Sequence, residues 1–438
     1  MTIQPVQKTW FPAAWMILAV FVFSPGVLLA AQAQLPFPRH LRYAFGTIRP
    51  TGHSQAELDG DVQRLYEHWK ANYLVRVVNT AVPDQVLYRV SHGRQDPWRT
   101  VSEGQGYGML ITVMMAGYDP QAREIFDGLY RFSRLHPSRT DSRLMAWEVP
   151  ENEDTGVDAA FDGDADMAQA LLMATRQWPD RGEIDYLAAA GNVLAGIRGS
   201  MIGPESHLPL LGDWVFREGP PYGEYTPRSS DFMPDHFRSW QRMTGDRFWG
   251  TVLQAVQDAV TDVQARCSPS TGLLPDFLVP RSPLDHRLVP APAGFLEGPF
   301  DGDFEYNAGR VPWRIGVDGL LFGDPVSLAQ AGRMAVWIAD ATGGDPARIM
   351  AGYTLSGRVL PDHDYFTSFF AAPLAVAAMT RPELQTFLDD LYDTIRNRRE
   401  DYYEDSVTLL CLLVLSGNYW VPDGTPVAPA LSLLLDGK

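Results

Sequence analysis

Apolar side chains recur at helical spacing along most of this 438-residue chain, which restricts it to a predominantly helical fold. Val62, Leu65, Tyr66, Trp69 and Tyr73 form the first stripe. Further helices are expected over about 102–117, 120–135, 164–178, 183–199, 234–243, 246–265, 310–322, 327–343, 367–379, 385–397 and 404–416. Twelve helices joined by alternating short and long loops suggest six helical hairpins closing into a double-layered ring. The expected class is therefore all-α, with a few short strands in loops at Val86–Val90, Leu210–Val215 and Leu273–Val279. No stretch reads as an interdomain linker, so residues 34–422 are expected to form one domain and 423–438 a loosely ordered tail. The longest irregular stretch, Pro280–Tyr306, is the length of a functional loop.

The first 33 residues read as an export signal. Lys8 is their only charged side chain, an apolar run extends from Trp15 to Phe23 and on through Val27 to Ala30, and Ala31-Gln32-Ala33 fits a small-residue cleavage site. The mature chain is expected to begin near Gln34, secreted or periplasmic, without stable membrane association and monomeric. A net charge of −17 argues against nucleic acid as a partner. The two cysteines, Cys267 and Cys411, show no zinc-ligand spacing, and no glycine-rich nucleotide loop occurs, so neither metal nor cofactor is expected.

Two acidic motifs carry the chemistry. In Ser102-Glu103-Gly104-Gln105-Gly106-Tyr107-Gly108-Met109, Ser102 is expected to cap a helix and put Glu103 in its first turn. The glycines weaken that helix by roughly 1 kcal/mol each relative to alanine, and they let a bulky substrate or a neighbouring helix come close. In Ala160-Phe161-Asp162-Gly163-Asp164-Ala165-Asp166-Met167-Ala168, three acids suit a helix start, with Asp166 already inside the helix and Asp162 the one to face a ligand. Glycoside hydrolysis uses two carboxyl groups flanking one glycosidic bond. A general acid must hold its proton, so Glu103 is expected to be partly buried with a raised pKa.

Both motifs resemble glycoside hydrolase family 8, a family of inverting endo-glycanases. The first fits its Ser-Glu-Gly-Gln-x-Tyr-Gly pattern. The second fits its aspartate signature through Ala174 and Trp178, with Phe161 where the family has Ser or Thr. The likeness continues through Tyr306-Asn307-Ala308-Gly309-Arg310-Val311-Pro312-Trp313-Arg314-Ile315 and Asp405-Ser406. It implies an (α/α)6 barrel, with Glu103 as general acid, Asp162 binding and distorting the sugar at the cleavage point, and Asp164 and Arg310 supporting the site.

Many members of that family carry Asp after the tyrosine of the third motif, whereas this chain has Asn307. An amide cannot take a proton from water at neutral pH. One branch resembles this chain in having Asn there and takes its base from a glutamate on a preceding loop. Here that loop is Phe295-Leu296-Glu297-Gly298-Pro299-Phe300-Asp301-Gly302, and Glu297 is the candidate base, with Asp301, Asp303 and Glu305 as rivals. Inversion requires the two carboxyls to stand about 6.5–9.5 Å apart.

Trp147, Trp214, Tyr107, Tyr306, Trp313, Tyr353 and Tyr365 are candidate sugar platforms or core residues. Trp147, Tyr107, Tyr306 and Asn307 join Asp164 and Arg310 in the expected substrate-binding set. His236, His286 and His363 read as incidental. The expected activity is an endo-β-1,4-glycanase acting on cellulose or mixed-linkage glucan. A chitosanase is the alternative, and a non-catalytic polysaccharide-binding protein on the same ring is the reading from another class.

Overall fold

Thirteen α-helices occur among the described residues, and twelve of them correspond to the expected helices. The structure is a computed structural model that describes residues 33–78, 85–150, 158–180 and 182–422. The expected leader through residue 32 and the expected tail from 423 lie outside them.

In chain order the elements are α1 Gln55–Tyr73, β1 Leu74–Val78, β2 Val86–Val90, β3 Thr100–Val101, α2 Ser102–Met115, α3 Ala122–Leu135, β4 Glu148–Val149, α4 Phe161–Gln177 and α5 Tyr186–Ser200. Then follow α6 Val215–Glu218, α7 Pro234–Thr244, α8 Phe248–Arg266, β5 Leu278–Ser282, β6 Asp285–Pro290, α9 Val311–Phe322, α10 Pro325–Thr342, α11 Ser368–Ala378, α12 Gln385–Ile395 and α13 Tyr402–Leu415.

The helices form two concentric rings. α2, α4, α7, α9, α11 and α13 each pack on the next, and α13 returns to α2. Outside them α3 packs on α2, α5 on α4, α8 on α7, α10 on α9, α12 on α11 and α1 on α13. Two inner helices are enclosed on almost every side: each residue of α11 is buried, and all of α2 but Glu103. A helix that is apolar all round can only be an interior one. The outer α1 is started by a capping box, in which Ser54 accepts from the Glu57 N–H and Glu57 answers to the Ser54 N–H. Among the described residues no helix is long and apolar enough to cross a membrane.

The loops depart from expectation in several places. Ser102 does not cap α2; it is the first helical residue. Val101 stands at the cap with no side-chain bond, and the Ser102 N–H donates to the Trp147 carbonyl instead. The antiparallel β3–β4 pair thus feeds straight into the helix and satisfies its first donor. Likewise α4 begins at Phe161, so Asp162 lies inside the first turn.

Leu210–Val215 is not a strand. It makes isolated bridges such as Ala160 to Gly212 and then turns into α6, because no extended neighbour is available to pair with it. The strand expected at 273–279 starts only at Leu278. With β6 it forms a hairpin inside the supposedly irregular Pro280–Tyr306, where Pro280 and Pro283 obscure the strand pattern.

Candidate active site

The first turns of the inner helices meet at one end of the ring, and glycine lets two of them touch. A Cβ at Gly106 would lie 2.8 Å from the Gly163 carbonyl oxygen, and one at Gly163 would run into Ser102. The glycines therefore serve helix-to-helix contact, which brings Glu103 on α2 beside Asp162 on α4. One cation ties them together. Arg310, fully buried at the start of α9, bonds Glu103 Oε1 and, at 2.7 Å, Asp162 Oδ2 through the same Nη1. Its Nη2 donates to Ser230 Oγ at 2.7 Å.

Tyr107 also donates to Glu103 Oε1, at 3.0 Å. Both donors take Oε1, so a proton on this carboxyl belongs on Oε2. Burial is the largest influence on Glu103 and, with the Asp162 charge, outweighs Arg310, pushing its pKa up to about 7. Burial works on Asp162 in the same direction, but Arg310 and Arg228 more than offset it, and the carboxyl is held below its ordinary value. Two adjacent carboxyls thus differ in protonation, one suited to give a proton and one to stay ionised.

Across the opening stands Glu297, on the loop after β6. Asp301 is buried beneath it and accepts from the backbone N–H groups of Leu296, Glu297 and Gly298 at 2.7, 3.2 and 2.8 Å. That makes Asp301 the staple of the loop rather than a reactive acid. Glu305 pairs with His363 at 3.2 Å. The Glu297 carboxylate bonds Arg228 through Oε1 and accepts from Asn307 Nδ2 at 3.1 Å through Oε2, and Asn307 Oδ1 accepts from Tyr403 at 2.8 Å. Arg228 lies over the Phe277 ring at 4.5 Å.

Glu103, Asp162, Glu297, Asn307 and Trp147 line one cleft of about 720 Å³, together with Trp214, Arg228 and Asp231. Trp147 is 39% exposed, with the Arg99 guanidinium 5.6 Å from its ring centre, and Trp214 meets Tyr222 edge-on. Both indoles line the cleft, Trp147 exposed and Trp214 partly so. Phe161 also borders the cleft, and its ring packs 6.2 Å from that of Phe237.

Four of the residues expected to touch substrate lie behind the cleft. Asp164 is wholly buried and accepts the Met145 N–H on both oxygens at 3.1 Å, and burial pushes its pKa up to about 8. Arg310 and Tyr107 are also wholly buried and reach the acids from beneath. Tyr306 donates to Glu404 at 2.7 Å and stacks on Phe369. Their helical or loop context made these side chains eligible for the site, but packing turned them inward. Trp313 and Tyr353 are core residues, and Tyr365 is exposed away from the cleft lining.

His236 is not incidental. It is buried between Asp166, 2.8 Å from Nε2, and Asp235, 2.9 Å from Nδ1, while Arg314 grips Asp166 with two bonds of 2.7 and 2.6 Å. Sequence reasoning missed Arg228, Ser230 and Asp231 as well. Arg-Ser-Ser-Asp before an apolar helix start reads as a cap, and nothing local marks it as a cleft wall.

Comparison with known proteins agrees with this geometry. The model of the glycosyl hydrolases family 8 matches residues 36–417. The chain belongs to that family. It is accordingly a glycoside hydrolase, and the ring described above is the (α/α)6 barrel.

The family 8 chain is 38% identical over 411 residues to a beta-glucanase of Niallia circulans, covering 93% of this chain and 97% of that one. It is 34% identical over 423 residues to an endoglucanase of Bacillus sp. (strain KSM-330), covering 95% and 88%. Among solved structures it resembles the apo form of a beta-1,3-1,4-glucanase from Paenibacillus sp. X4, with a TM-score of 0.82 and 38% identity over 88% of this chain and 99% of that one.

Proposed function

We propose that the cleft cuts β-1,4 bonds within glucan chains, cellulose or mixed-linkage, by a single displacement that inverts the anomeric carbon. The observation that carries this reading is the pairing of unlike carboxyls on one cleft: Glu103 buried with a pKa near 7, and Glu297 exposed and held by Arg228 and Asn307.

Glu103 gives its Oε2 proton to the leaving glycosidic oxygen as the bond to the anomeric carbon breaks. A water on the opposite face of the sugar attacks that carbon and loses a proton to Glu297. The proton taken by Glu297 then returns to solvent and Glu103 is reprotonated. Asp162, kept ionised by Arg310, accepts a sugar hydroxyl and stabilises the positive charge that develops on the ring. Trp147 and Trp214 offer apolar faces to neighbouring sugar units. The beta-glucanase and endoglucanase relatives support glucan as the polymer.

One observation favours chitosan as a second reading. Asp158, Asp162, Glu218 and Glu297 stand against Arg99, Arg217 and Arg228 on the lining, with Glu103 and Asp231 adding charge only when ionised, a small acidic excess that suits a cationic polymer. Release of reducing ends from β-glucan, chitosan and xylan side by side tests both. Fastest release from β-glucan is expected, release from chitosan alone would favour the second reading, and inactivity on both would remove the proposal.

The same reading has the chain exported, cleaved near Gln34 and monomeric, with residues 34–422 as the catalytic domain. Amino-terminal sequencing of protein recovered from the medium and sedimentation of that material test these points.

A further inference from the structure

Asp231 ends a short 3-10 turn, Ser229–Asp231, that joins the two sides of the cleft. Arg228, just before the turn, bonds Glu297. Ser230 accepts from Arg310, which holds Glu103 and Asp162. Asp231 therefore sits between the acid side and the base side, and it lines the cleft.

The Arg228 and Arg310 charges act on the Asp231 side chain, but neither of them hydrogen-bonds its Oδ1. It is 3% exposed, and its Oδ1 is closed off with no hydrogen-bond partner. It does not cap α7, whose cap position is Met233 and carries no side-chain bond. Leaving such an oxygen unsatisfied destabilises a fold. A chain keeps that cost where it serves function, and unsatisfied polar groups in a cleft mark a place for ligand.

We infer that Asp231 is a sugar-binding residue, whose carboxyl exchanges hydrogen bonds with a hydroxyl of the glucosyl unit lying between Glu103 and Glu297. Burial and the adjacent Asp162 charge outweigh Arg228 and Arg310 and push its pKa well above its ordinary value. Its protonated form, which can donate as well as accept and does not repel the ionised Asp162, is thereby favoured. The inference rests on the proposed glucan reading.

The test compares Asp231→Asn and Asp231→Ala, with and without Glu103→Gln. Asn keeps the size of the side chain and both hydrogen-bonding capacities, whereas Ala keeps neither. Asp231→Asn should stay within about tenfold of the parent in kcat/KM on β-glucan, and Asp231→Ala should lose about a hundredfold or more. Asp231→Ala should not lower the melting temperature, because it removes an unsatisfied buried group. Calorimetry with cellopentaose in the Glu103→Gln background should show binding weakened about tenfold or more by Asp231→Ala.

A lower melting temperature for Asp231→Ala with unchanged cellopentaose affinity would make Asp231 structural and overturn the inference. Equal loss in the Asn and Ala variants would overturn the neutral-acid role. If Glu103→Gln alone fails to bind cellopentaose, the glucan reading itself falls, a result distinct from failure of Asp231.

Discussion

The Asn307 side-chain amide donates a 3.1 Å hydrogen bond to Glu297 Oε2 while its own oxygen accepts from Tyr403. The tyrosine fixes which way the amide faces, so a donor is turned to the glutamate. An aspartate at 307 would set a second negative charge against Glu297. Asn307 and a loop glutamate are thus matched, and the proposed base at Glu297 is better served by an amide at 307 than by a second carboxylate.

Glu297→Gln is expected to lower kcat on β-glucan by about 10²–10⁴-fold with little change in melting temperature, measured by reducing-end release. Retention of most activity would assign the base to another acid.

Asn307→Asp alone should lower kcat/KM on β-glucan, since it sets a second carboxylate against Glu297 and removes the hydrogen bond the amide donates to it. In the Glu297→Gln background the same change should restore part of the lost rate, because an acid then stands where many family members keep theirs. A pH–rate series on the single and double variants checks both expectations.

The pKa of Glu103 sets the alkaline limb. Activity requires its protonated form, so kcat/KM should fall as pH rises through about 7. Its folded value lies above the ordinary 4.5, so the folded state binds the proton more tightly, and stability declines as pH rises from 4.5 to 7. Glu103→Gln should therefore melt higher than the parent at pH 8 and close to it at pH 4, while losing activity at both. Calorimetric scans at the two pH values check the sign.

Gly163→Ala would normally help a helix by roughly 1 kcal/mol. Here the new Cβ meets Ser102, so the change should destabilise by about 1–3 kcal/mol and displace Glu103 from Asp162. Urea unfolding together with kcat/KM measures both effects, and a stabilised, active variant would contradict the close α2–α4 contact.

The rings of helices were legible because burial imposes a period on each of them, most plainly at Val62, Leu65, Tyr66, Trp69 and Tyr73. Glu103 and Asp162 were legible because each lies in a dense local motif. What escaped is what depends on meetings across the fold. His236 gains its role only when α4 and α9 bring Asp166 and Arg314 to it, and Arg228 only when the Glu297 loop folds back over it. Tyr306 and Asp164 show the opposite case. Their neighbourhood in sequence is that of the site, but Glu404 and the Met145 amide draw them away from the cleft.

The stereochemistry of the first product tests the central claim most directly. Proton NMR of freshly hydrolysed cellopentaose should show the α-anomer of the new reducing end appearing first and then relaxing toward the mixture by mutarotation. That result follows if Glu297 activates a water opposite Glu103. Initial appearance of the β-anomer would mean retention through a covalent intermediate, and would contradict the assignment of acid and base on this cleft.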